Sequence, residues 1–134
     1  MVGILIISHS TLAESLKQTV SLIVGEKENV MTLSLMKNDR IEDFSDRLKK
    51  AVIAVDKGDG VLILADMFGG TPCNSALALY GADEKVRIIT GVNLPVVIEA
   101  IMHAGRSVDE LAKIIMERRD KSIIDAKAIF KNRG

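Results

Sequence analysis

Two uninterrupted apolar runs, Val2 to Ile7 and Val61 to Ala65, limit what this chain can fold into. A strand that is apolar on both faces has to be covered on both faces, as a parallel strand inside a layered α/β sheet is. Each run ends in a polar turn followed by residues at helical spacing. After the first come Leu12, Leu16, Val20, Ile23 and Val24, with Thr11 and Glu14 spaced as a capping box and Gly25 as the stop. After the second, Thr71 reads as an N-cap and Pro72 as the first helical residue of a short helix to Tyr80.

The remaining elements continue this alternation. Met31, Leu33 and Leu35 predict a less buried strand, and Asp39 with Glu42 predicts the cap of a helix striped by Ile41, Phe44, Leu48, Val52 and Val55. Val86 to Thr90 reads as a fourth strand. Asn93 caps the helix after it, and Ser107 with Glu110 caps another. Ser122-Ile123-Ile124 reads as a last strand ahead of a frayed end. Residues 1–134 then form one doubly wound α/β domain, its mostly parallel sheet in flavodoxin-like order with helices on both faces.

Composition excludes several function classes. Eighteen basic residues balance eighteen acidic ones, and three Phe, one Tyr and no Trp leave little to stack bases on, so nucleic acid is not an expected partner. The single cysteine, Cys73, cannot form an internal disulfide and reads as a small packed residue, in keeping with a reducing cytoplasm. The N-terminus has no basic region or cleavage site of a signal peptide, and no apolar stretch reaches the roughly 18 residues of a membrane span. The expected location is cytoplasmic.

The candidate chemistry lies where the two apolar runs end. His9 follows the first and Asp66 the second, and in flavodoxin-like order those strands are neighbours at the switch point. A carboxylate beside an imidazole accepts the proton of one ring nitrogen, fixes the tautomer, and leaves a lone pair on the other. Gly69-Gly70-Thr71-Pro72 leads into a helix N-terminus, where free N–H groups and the helix dipole attract an anion. Gly69 and Gly70 admit close backbone approach, and Thr71 adds a hydroxyl.

Purely structural roles compete at each position. His9 can cap a helix, Asp66 can close its own loop, and Thr71 with Pro72 can be an ordinary helix start. Asn93 reads chiefly as a cap, and His103, late in an apolar helix, as a satisfied, partly buried side chain. The loop has neither the Lys of a P-loop nor the dinucleotide fingerprint, and His9, Asp66 and Cys73 lack metal-ligand spacing. No cofactor or metal is expected. An oriented imidazole beside an anion cradle describes a phosphohistidine carrier better than a hydrolase.

At these residues the chain resembles the IIA domain of the mannose-family bacterial sugar phosphotransferase system. The likeness rests on Gly3-Ile4-Leu5-Ile6-Ile7-Ser8-His9, on Leu64-Ala65-Asp66-Met67-Phe68-Gly69-Gly70-Thr71-Pro72-Cys73-Asn74, and on Thr90-Gly91-Val92-Asn93-Leu94-Pro95. The resemblance implies phosphorylation of His9 at Nε2, with Asp66 holding the opposite nitrogen. It implies the general histidine phosphocarrier protein as donor and a IIB component as acceptor, with membrane subunits IIC and IID engaged indirectly. With the sequence ending at Gly134, that IIB is expected to be a separate polypeptide. It also implies a homodimer whose last strand crosses between subunits, for which Ser122 to Ile124 is the candidate.

Ser10, where many members carry Gly, Thr71, where some carry Ser, and Val96-Val97 depart from the pattern. Two other readings compete. One is the phosphocarrier subunit of a dihydroxyacetone kinase, which shares the strand-one His but usually lacks the Phe-Gly-Gly-Thr-Pro loop. The other is a non-catalytic regulator that binds an anion or nucleotide at the same helix N-terminus.

Overall fold

The computed structural model describes residues 1–132, in which strands and helices alternate from the first element. Strands β1 (Gly3–His9), β2 (Val30–Leu35), β3 (Val61–Ala65) and β4 (Val86–Thr90) form a parallel sheet in the order β2-β1-β3-β4. Helices α1 (Leu12–Val24), α4 (Leu94–Met102) and α5 (Val108–Glu117) cover one face. Helices α2 (Ile41–Val55) and α3 (Thr71–Tyr80) cover the other. This is the doubly wound fold in flavodoxin-like order that the apolar runs predict.

The two-residue period of a strand decides which core each side chain enters. Ile4 and Ile6 of β1 join Leu62 and Leu64 of β3 beneath α1, α4 and α5, while Leu5, Ile7, Val61 and Ile63 pack with Phe44 and Leu48 of α2. All are fully buried, and each such side chain contributes about 1.5–3 kcal/mol of transfer free energy. Two fully apolar strands at the centre thus fix both layers at once. Pairing of β1 with β3 runs from Gly3 opposite Val61 to Ile7 opposite Ala65, so His9 and Asp66 leave the sheet side by side.

Helix starts and the tail differ from the sequence expectation in four places. Thr11 stands at the start of α1, but its ψ of 13° is not the extended backbone an N-cap needs, and its side chain caps nothing. The Ala13 N–H is taken by Ser8 Oγ instead. Arg40, not Asp39, precedes α2, because the Asp39 carboxylate is engaged by the Met36 N–H and Arg47. Gly70 occupies the cap of α3 and Thr71 is its first residue, since the chain turns at the two glycines rather than after them.

In the tail, Ser122–Ile124 belongs to no strand. The segment follows a 3₁₀ turn, Arg119–Lys121, and precedes helix α6 (Ala126–Asn132) where a frayed end was expected. Ala126, Lys127, Ala128 and Lys131 favour helix, and residues 122–124 pair with no strand of their own sheet. The caps at Asn93 and Ser107 form as the sequence predicts, to the N–H groups of Val96 and Glu110.

Candidate functional site

All four strands are parallel, so their carboxyl ends lie along one edge of the sheet, the edge at which such folds bind ligands. The Asp66 N–H extends the ladder by donating to the Ile7 carbonyl, and its side chain turns back on β1. One carboxylate oxygen, Oδ2, accepts the His9 backbone N–H at 2.9 Å and lies 2.7 Å from His9 Nδ1. The other, Oδ1, accepts the Met67 N–H at 2.9 Å. Backbone and ring of His9 are therefore held by one carboxyl group.

Burial alone pushes that carboxyl up. The hydrogen bonds from the His9 N–H and ring, the charge of His9 and the Met67 N–H outweigh it, holding Asp66 below its ordinary value of 3.8. An ionised Asp66 accepts only, so Nδ1 carries the hydrogen and the neutral ring presents its lone pair at Nε2. The imidazole is 46% exposed against 10% for the Asp66 side chain, so the pair has a fixed inner end and an accessible outer end.

The glycines do different jobs. Gly69 adopts φ +88°, a left-handed conformation that residues with a side chain rarely take. Gly70 has an ordinary φ of −86°, but a Cβ there would sit 2.6 Å from His9 Cε1 and 3.3 Å from Nε2. Its hydrogen makes room for the ring. We expect Gly70→Ala to melt as the parent does and to break the contact of His9 Nδ1 with Asp66, because the ring must move away from the added Cβ. Melting curves and ¹⁵N spectra of the His9 ring check this.

Thr71 lies just beyond, with its hydroxyl not used to cap its own helix. Helix geometry leaves the N–H groups of Thr71 and Cys73 without intrahelical acceptors, and Pro72 has none to satisfy. The Asn74 amide donates to the Gly69 carbonyl and ties the loop to α3. His9, Asp66, Gly70 and the start of α3 thus converge. Asn93 is engaged as a cap, Cys73 is buried, and His103 is half-buried with Nε2 3.3 Å from Glu99 Oε2. Ser8, the residue before His9, is fully buried beneath the His9 turn. No cap pattern flags it, because its partner Ala13 lies five residues away.

Strand order and site together define a class: a doubly wound α/β domain with a carboxylate-oriented imidazole at its switch point. Known proteins place the chain within that class. The family model "PTS system fructose IIA component" matches residues 3–116, and the chain belongs to that family, the IIA phosphocarriers of sugar phosphotransferase systems, which are transferases.

The chain is 30% identical to the fructose-specific EIIA component of Bacillus subtilis (strain 168) over 101 residues, 75% of this chain and 69% of that protein. It is also 30% identical to the mannose-specific EIIAB component of Escherichia coli (strain K12) over 129 residues. That match takes in 95% of this chain but spans 40% of the Escherichia coli protein. Among solved structures, EIIA from Streptococcus agalactiae superposes with a TM-score of 0.86 at 26% identity, covering 96% of this chain and 99% of that one. The IIA protein associated with the fucose utilization operon of Streptococcus pneumoniae gives 0.86 at 31%, covering 96% and 95%. These relatives do not favour the dihydroxyacetone kinase reading.

Proposed function

We propose that residues 1–134 act as one phosphocarrier domain that holds a phosphoryl group on Nε2 of His9. The donor is the general histidine phosphocarrier protein and the acceptor a IIB component, which serves sugar uptake through membrane subunits IIC and IID. The observation that carries this reading is the 2.7 Å contact of Nδ1 with Asp66 Oδ2, which leaves Nε2 as the free nucleophile.

The Nε2 lone pair attacks phosphorus on the donor's phosphohistidine. A new N–P bond forms as the donor's N–P bond breaks, and the departing imidazole keeps the electron pair. Asp66 stabilises the positive charge that appears on the His9 ring. The Thr71 hydroxyl and the N–H groups at the start of α3, reached past Gly69 and Gly70, hold the phosphoryl oxygens. Attack by the acceptor's nucleophile reverses the sequence. Phosphoenolpyruvate, enzyme I and the carrier should load the chain, and added IIB should unload it; a chain that takes up no phosphoryl group overturns the reading.

Transfer between proteins needs a surface that excludes water around Nε2. Met67 and Phe68, 53% and 71% exposed, offer one beside the site. Phe68→Ala should raise KM for the donor by roughly tenfold, the scale of one lost aromatic anchor, with melting unchanged. An unaltered KM removes Phe68 from the interface.

The same reading takes the protein to act in the cytoplasm. No helix among the described residues is long and apolar enough to cross a membrane. It also takes the working form to be a homodimer, supported by Ile123 and Ile124, 83% and 52% exposed. Ile123 lines a groove together with Ile89 and Thr90 of the edge strand β4 and with Ile115 and Met116. Exchange of residues 122–124 onto the partner's β4 covers both edges in a two-fold interface. Sedimentation should give a dimer at micromolar concentration that dissociates on truncation after Asp120; a full-length monomer refutes the exchange.

A further inference from the structure

Among the described residues Ser8 is one of three buried polar side chains and is fully buried, and neither the sheet nor the phosphoryl chemistry accounts for it. Its Oγ accepts the Ala13 N–H at 2.8 Å and donates to the Ser10 carbonyl at 3.3 Å. One hydroxyl supplies both bonds, since it carries a donor hydrogen and acceptor lone pairs. The two bonds brace the stretch in which the chain leaves β1 and enters α1. His9 lies inside that stretch.

The turn needs bracing. Ser10 has φ +54°, and it is the one residue other than glycine with positive φ among the described residues. A side chain is crowded in this left-handed conformation, so surrounding bonds have to hold it there. The Ser10 N–H donates to the Leu35 carbonyl, the His9 N–H to Asp66, and the Ser10 carbonyl accepts from Ser8. Of these anchors, only Ser8 ties the turn to the first turn of α1.

We propose that Ser8 is a positioning residue for His9. Its hydroxyl locks Ser10 in the left-handed turn and so keeps the imidazole where Nδ1 meets Asp66 and the ring edge packs on Gly70. The inference rests on the reading of His9 as the phosphoryl acceptor. It extends that reading to a side chain that touches neither the phosphoryl group nor the ring.

Ser8→Thr and Ser8→Val test it, being equal in size and differing in the hydroxyl. Ser8→Thr should transfer within about twofold of the parent. Ser8→Val should lose about tenfold or more in kcat with KM for the donor little changed, the signature of a misplaced nucleophile. In ¹⁵N spectra at neutral pH, the His9 ring should go from one tautomer in Ser8→Thr to a mixture in Ser8→Val. Ser8→Val with parental kcat and a single tautomer overturns the proposal. So does Ser8→Val that fails to fold while Ser8→Thr behaves as parent, which assigns the hydroxyl to the fold alone. The tautomer measurement needs no partner protein, so it decides on Ser8 even if His9 proves to accept no phosphoryl group.

Discussion

His9→Ala accepts no phosphoryl group from the loaded carrier, and this is the largest effect expected of any single substitution. The imidazole is half exposed, so its removal should change stability by no more than about 1 kcal/mol. His103 does not substitute. It ends α4, whose neighbour Ala104 accepts the Val2 N–H at the start of β1, so it lies at the opposite end of the sheet. Its Nε2 also faces Glu99. Radiolabel from phosphoenolpyruvate and melting curves of both proteins provide the check; label retained by the variant contradicts the assignment.

Asp66→Asn keeps the volume and loses the charge. The amide no longer stabilises the ring cation, and its NH₂ group can donate to Nδ1 and move the ring hydrogen to Nε2, the atom that has to attack. Transfer should slow by at least about tenfold. The same substitution has a pH signature. Asp66 sits below its ordinary 3.8 in the fold, so its contribution to stability is complete above that value and disappears as the pH falls through the folded-state value. Parent and variant should therefore differ most in melting temperature near neutrality and converge below about pH 3.8. A gap that stays constant with pH contradicts an ionised Asp66 beside His9.

The sheet was legible because Val2–Ile7 and Val61–Ala65 leave no alternative to burial on both faces, and the switch point follows from placing those strands side by side. The pairing of His9 with Asp66 comes from that topology alone. Caps were less legible, because a cap depends on backbone angles and on groups brought close by the fold. Thr11 and Asp39 have suitable side chains, yet Ser8 and the Met36 loop decide which N–H groups are taken.

Gly70 shows the same limit. A pair of glycines before a helix suggests room for an anion, whereas the contact with His9 Cε1 follows from the path of residues 66–70. Leu12 and Ile41 fit their helical stripes but lie at helix starts that project past the core, and both are exposed. In the tail, Ile123 and Ile124 carry a strand signal without a strand partner in the same chain, and spacing alone does not say whether a second copy supplies one.

The central claim concerns one atom, Nε2 of His9, and it can be measured directly. Protein labelled with ¹⁵N-histidine, phosphorylated through enzyme I and the carrier and held at alkaline pH, should show phosphorus coupled to Nε2 of His9. Nδ1 should keep its hydrogen on Asp66, and the His103 signals should not move. Phosphorus coupled to Nδ1, or coupled to His103, would contradict the account.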